Sequence, residues 1–148
     1  MDSNRIEEVE NEIIEEFGFF SDLQDKYEYI IELGRKLGGF PEDKRTDDYK
    51  VKGCQSSVWL TTSADNGTII FKADSDSVIV KGLIALLLRV LSGKQPEEIM
   101  NAKLEFIDKI GLKQHLAGTR TNGLAAMIKQ MKMYALAYKA KEQLEHNN

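Results

Sequence analysis

Asp65-Asn66-Gly67 lies between two short alternating segments, and it constrains the fold more than any other stretch of the chain. Asn-Gly accepts the positive φ angles of a tight turn, so residues 57–63 and 68–73 are expected to pair as an antiparallel hairpin. Alternation puts Val58 and Leu60 on one face and Trp59 on the other. Both faces are then at least partly apolar, and helices are expected to cover one of them. Residues 42–48 are charged and rich in breakers, a loop that leads into a first short strand over 49–53. The expectation is an α/β (α+β) domain with a short, curved, three-stranded antiparallel sheet.

Asp74-Ser75-Asp76-Ser77 is a dense capping sequence ahead of Val78–Leu91, a segment apolar on most sides and therefore read as the central buried helix. Upstream, Ile6, Val9, Ile13, Ile14 and Phe17 recur at helical spacing, so residues 4–17 read as an amphipathic helix with an acidic outer face. Ser21 and Gln24 suit a capping box for a second helix, with the stripe Leu23, Tyr27, Ile30, Ile31, Gly34 and Leu37. Gly38-Gly39 and Pro41 stop it. Downstream, Pro96 opens a short helix, another is expected over 103–110, and a long one runs over about 121–141. The long helix has the stripe Leu124, Met127, Ile128, Met131, Ala135 and Tyr138.

At 148 residues, 42% hydrophobic and 30% charged, the chain reads as one globular domain over 1–143. Leu144–Asn148 looks like a vector-derived tail and is set aside. The start lacks a secretion-signal pattern, and Lys81, Gly82 and Arg89 interrupt the longest apolar run, so neither export nor a membrane span is expected. The net charge of −4 is uneven: residues 1–48 hold 15 acidic and 6 basic residues, whereas 103–142 hold 3 acidic and 8 basic. The basic excess lacks interleaved stacking aromatics, which favours a solvated helix face over a nucleic-acid site.

One cysteine, Cys54, is present, within Lys52-Gly53-Cys54-Gln55-Ser56-Ser57-Val58-Trp59-Leu60. A lone thiol closes no internal disulfide, which fits a reducing cytoplasm, and cannot by itself supply the several ligands of a zinc or iron–sulfur site. What remains is a packed bystander, a nucleophile, or a sulfur that carries a group between partners. Gly53 permits a sharp turn and close approach, while Gln55, Ser56 and Ser57 keep the segment polar until Val58. Spacing alone leaves the buried and the reactive thiol both open. No glycine loop of the kind that cradles phosphates is present, and Lys81 alone is no evidence for a pyridoxal phosphate site.

Gly53-Cys54-Gln55-Ser56, followed by Val58-Trp59-Leu60, resembles the signature of the SufE family, the sulfur-acceptor partners of cysteine desulfurases. The likeness extends through Tyr27–Gly34, Asp74-Ser75-Asp76, Ile79–Ala85, Gln114-His115-Leu116 and Arg120-Thr121-Asn122-Gly123-Leu124. The resemblance implies that Cys54 accepts sulfur as a persulfide from a SufS-like, pyridoxal phosphate-dependent cysteine desulfurase and activates that enzyme. A SufBCD-like cluster scaffold would receive the sulfur. No cofactor is expected on the chain itself, and a homodimer is compatible with the resemblance. Gly53, Gln55, Ser56, Asp74, His115 and Arg120 become the supporting candidates, with Arg120 the leading supporting charge.

The charged supporting candidates also have bland explanations. Arg120 suits a surface ion pair, and helix capping accounts for at least one of Asp74 and Asp76. Two other functions compete. An IscU-type scaffold, similar in fold class, normally uses three cysteines where this chain has one. A small cysteine hydrolase would pair Cys54 with His115, but no orienting partner for that histidine is identifiable.

Overall fold

The computed structural model describes residues 3–53, 56–111 and 119–147, with side chains described for 5–53, 56–111 and 124–145. Among the described residues six α-helices, α1 (Ser3–Gly18), α2 (Leu23–Lys36), α3 (Val78–Leu91), α4 (Pro96–Asn101), α5 (Phe106–Lys109) and α6 (Thr119–Asn147), pack around a hairpin of β1 (Val58–Asp65) and β2 (Thr68–Ser75). The hairpin is in the register expected from Asn66-Gly67, with Asp65 opposite Thr68 and Val58 opposite Ser75. Asn66 and Gly67 both take positive φ, 51° and 84°, as a two-residue turn of matching twist requires.

The expected first strand over 49–53 does not form, and the sheet of the described residues has two strands. Asp47–Tyr49 is a short 3-10 turn, and only Lys50 bridges β1, opposite Trp59. The pairing ends there because Lys52 and Gly53 turn away, Gly53 with φ of 91°. The expected helix over 103–110 likewise shrinks to four residues, preceded by Leu104 in the left-handed region at φ 57°.

α3 is the axis of the core: Leu83, Ile84, Leu86, Leu87, Val90 and Leu91 are all buried. Ser77 caps it, its hydroxyl accepting the Val80 N–H at 3.4 Å. α2 crosses α3 where Gly34 meets Gly82, backbone against backbone. Its cap is Asp22, which accepts the Asp25 N–H at 2.9 Å, rather than the Ser21 and Gln24 box. A carboxylate one residue along reaches the same orphan amides. The basic face of α6 is partly engaged, since Lys132 donates to the Ala102 carbonyl at 2.5 Å and Lys139 lies 3.5 Å from Glu97.

α1 is tied to α2 and α3 by one polar cluster. Arg89 donates to both Glu16 oxygens, at 3.0 and 2.6 Å, and to Glu12 at 3.3 Å, while the Tyr29 hydroxyl donates to Glu16 at 2.5 Å. The Arg89 hydrogen bonds hold the Glu16 carboxyl below the usual range. Burial and the Glu16 hydrogen bond push the Tyr29 hydroxyl up to about 12.

Glu10 departs from the acidic outer face expected of α1. It is buried at 7% exposure, beside a cleft of about 560 Å³ between α1, α4 and α5, and accepts the Phe106 N–H at 3.3 Å. Burial raises its pKa, the amide bond opposes that, and Glu105 and Glu7 add to the rise. The folded state therefore binds this proton more tightly than the unfolded chain does. The stability linked to it is complete below the unfolded value near 4.5 and is lost as pH climbs through the raised folded value. Glu10→Gln keeps an oxygen for Phe106 and removes the charge. Thermal melts should show the variant a few degrees more stable at neutral pH and indistinguishable below the unfolded pKa. A variant less stable at neutral pH would mean that the ionised carboxylate is favourable in this site.

Candidate functional site

Lys52-Gly53 and Ser56-Ser57 flank positions 54 and 55, and fixed contacts hold both flanks. At their base the Val51 N–H donates to the Val58 carbonyl at 2.8 Å. On the β1 side, Ser57 and Asp76 are joined twice. The Ser57 N–H donates to Asp76 Oδ1 at 3.1 Å, and the Asp76 N–H donates to the Ser57 carbonyl at 3.2 Å. On the other side, Gly53 lies against α6, where a Cβ added at Gly53 would stand 3.5 Å from the Ala126 Cβ. Its φ of 91° favours glycine on steric grounds, independently of that contact. Ser56 is half-buried at the other end of the Gly53–Ser56 motif.

Cys54, Gln55 and His115 lie outside the described residues, as does any contact between them. Arg120 falls within the first turn of α6, and its side chain is likewise outside the description. Ala126 is six positions further along the helix, about 9 Å at the α-helical rise. The backbone that carries Arg120 therefore lies on the element that Gly53 faces.

The two aspartates have separate tasks, and neither caps α3. Asp76 closes the loop base. Asp74 is buried in the side-chain sense, 4% exposed, and takes ion pairs from Arg45 and from Lys81, the latter at 3.2 Å. Its Oδ1 also accepts the Ser75 N–H at 2.8 Å. The Arg45 guanidinium lies 5.5 Å from the Phe40 ring centre and 5.8 Å from that of Trp59, which is opposite Asp74 in the ladder. The start of β1 is thus braced from outside by Arg45 and Asp74.

Sequence reasoning gave Arg45 no role and considered Lys81 only as a cofactor lysine. The signal for them, the family-like Asp74, names the anion but not its partners. Asp74→Asn keeps the shape and one acceptor but removes the charge. Arg45 and Lys81 are about a third exposed and regain some hydration, so the loss should be about 2 kcal/mol, below that of a fully buried pair. Urea denaturation should show the midpoint falling at unchanged slope. An unchanged midpoint would mean that the brace contributes nothing net.

The family comparison bears on this same segment. A model described as the Fe-S metabolism associated domain, SufE, matches residues 11–135. The chain belongs to the SufE family. An uncharacterised SufE-like protein of Rhizobium meliloti is 42% identical over 130 residues, 84% of this chain and 93% of that one. One from Synechocystis is 36% identical, over 85% of this chain and 79% of the relative. SufE-like protein 1 of Arabidopsis thaliana, chloroplastic/mitochondrial, is 37% identical over 95% of this chain but only 39% of its own length. The solution structure of a hypothetical protein from Thermus thermophilus superposes with a TM-score of 0.71, covering 87% of this chain and 94% of the other. At 18% identity that likeness speaks for the fold alone.

SufE membership associates this protein with iron–sulfur metabolism. The loop, its Asp76 clasp and the Arg45–Asp74–Lys81 brace all fall inside the matched residues. No helix of the described residues is long and apolar enough to cross a membrane.

Proposed function

We propose that this SufE-family protein accepts sulfur on Cys54 from a cysteine desulfurase and delivers it to an iron–sulfur cluster scaffold. The Cys54 thiolate attacks the terminal sulfur of the donor's persulfide. A new sulfur–sulfur bond forms as the donor's own bond breaks, and the donor cysteine leaves as a thiolate. The exchange involves no net oxidation and requires no second cysteine. The receiving protein repeats the exchange in the other direction. Clearing the persulfide from the desulfurase frees it for the next turnover, which makes the carrier an activator. Pyridoxal phosphate belongs to that enzyme, and the reading places both proteins in the cytoplasm.

One observation supports this most directly: the chain's one cysteine stands in Gly53-Cys54-Gln55-Ser56, within the SufE match and in sequence between flanks whose backbone is held in place. Flanks held by backbone bonds let a partner engage Cys54 without disturbing β1. Arg120 and the start of α6 are the candidates for stabilising the thiolate. The test is intact-mass measurement, without reductant, after incubation with a cysteine desulfurase and free cysteine. The protein should gain the mass of one or more sulfur atoms, and a thiol reductant should remove it. A protein that acquires no sulfur from SufS-like desulfurases, and leaves their turnover unchanged, would end the carrier reading.

A further inference from the structure

The outer edge of β1 is a second place where the fold offers unused bonding capacity. In an antiparallel pair, successive residues turn their N–H and C=O to opposite sides of the strand. Val58 directs its carbonyl outward to Val51, so Leu60, Thr62 and Ala64 share that outward direction. The far edge of β2 is closed: Ile69 donates to Lys94 at 2.9 Å and accepts from Gly93 at 2.7 Å, and the Ser92 hydroxyl accepts the Phe71 N–H at 2.9 Å. Among the described residues the β1 edge is closed only at its start, by the bridge between Lys50 and Trp59. Beyond it, no group among the described residues bonds the outward N–H or C=O of Thr62 or Ala64. The Thr62 hydroxyl is also buried and has no hydrogen-bond partner among the described residues.

A groove of about 340 Å³ runs beside this edge, lined by Pro41, Tyr49, Leu60, Thr62 and Tyr134. Lys44 and Lys72 line it too, and none of its described lining residues carries a carboxylate. The Lys44 ammonium is held at the groove by the Tyr49 hydroxyl, 2.9 Å away. We propose that the β1 edge from Leu60 to Ala64 takes up an extended, acidic segment of a partner protein as a third strand. Its backbone would bond Thr62 and Ala64, and its carboxylates would face Lys44 and Lys72.

An extended chain supplies donors and acceptors at the two-residue spacing that this edge presents, with side chains reaching the groove on alternate positions. A small anion satisfies the lysines and leaves the strand edge open. A second copy pairing edge to edge brings Val58–Ala64, a stretch with no carboxylate, against two lysines. An acidic strand satisfies the backbone, and its carboxylates meet Lys44 and Lys72 beside Leu60–Thr62, while the Ala64 end adjoins Lys141, Glu142 and Glu145 of α6 and favours uncharged residues there.

The test titrates nitrogen-15-labelled protein with a short blocked peptide that alternates glutamate and valine. Amide exchange at Thr62 and Ala64 should slow about tenfold or more on binding, with shifts centred on Leu60–Ala64. The double variant Lys44→Glu, Lys72→Glu should bind about tenfold more weakly. A lysine–valine peptide should bind more weakly still. Thr62→Pro should abolish binding and leave the hairpin intact, because its N–H points away from β2. If that variant does not fold, the lysine variant decides. Unaltered exchange at Thr62 and Ala64 with millimolar peptide would overturn the proposal. So would sodium glutamate reproducing the same shifts, which marks a small-anion site, or edge shifts that grow with protein concentration alone, which mark self-pairing.

Discussion

Cys54→Ser is expected to take up no sulfur from a cysteine desulfurase under conditions in which the wild type is loaded. The exchange needs a nucleophile that is ionised near neutral pH and forms a stable bond to sulfur. A thiol meets both conditions, and a serine hydroxyl meets neither. Activation of the desulfurase should fall with it, because the substituted protein cannot clear the donor's persulfide. The fold should persist, since the loop is pinned by backbone groups of Val51, Ser57 and Val58 and by Asp76, none of which the substitution touches. Melting within about 0.5 kcal/mol of wild type is the expected control. His115→Ala should still acquire sulfur, because an ionised thiol needs no general base, while Arg120→Ala should load more slowly if that charge stabilises the thiolate. Sulfur on Cys54→Ser in wild-type amount would place the acceptor elsewhere. Loss of the adduct in His115→Ala would favour a Cys–His pair.

Gly82→Ala should be among the most destabilising single changes in the core. In an exposed helix the same substitution stabilises by roughly 1 kcal/mol, because alanine is the better helix former. At Gly82 a Cβ would stand under 3.0 Å from the Ile30 carbonyl oxygen, from its carbonyl carbon and from a side-chain methyl of the same residue. Two of these are backbone atoms inside α2, so relief requires the helices to separate. Separation would thin the packing around Ile30 and Ile84, both fully buried. The strain term should outweigh the propensity gain and leave a net loss of about 3 kcal/mol, or roughly 10 °C in Tm. Gly18→Ala is the matched control, with nothing within 4 Å of the added methyl, and should be neutral or slightly stabilising. A Gly82→Ala protein that melts with the wild type would show that α2 and α3 can slide apart freely.

Local chemistry determined the elements that the sequence alone resolved. The Asn66-Gly67 turn set the hairpin register because two adjacent positive φ angles leave few alternatives. Val78–Leu91 was legible because an apolar run of that length, with a polar cap before it, has no stable place except the core. The family match over 11–135 agreed with a motif series readable along the chain. Other features depended on partners distant in sequence. Four cap-forming residues stand at 74–77, and only the fold assigns the cap to Ser77, the loop clasp to Asp76 and the ion pairs to Asp74. Glu10 reads as one more residue of an acidic face until Phe106 is packed over it. The third strand failed for the same kind of reason. Tyr49–Gly53 has strand-like residues, but pairing is a contest between distant segments, and the turn at Gly53 limits it to one bridge. Periodicity and turn chemistry act within a few residues and are written in the chain. The choice among equivalent polar groups, and the end of a strand pairing, follow from which surfaces meet, and that is decided only in the folded molecule.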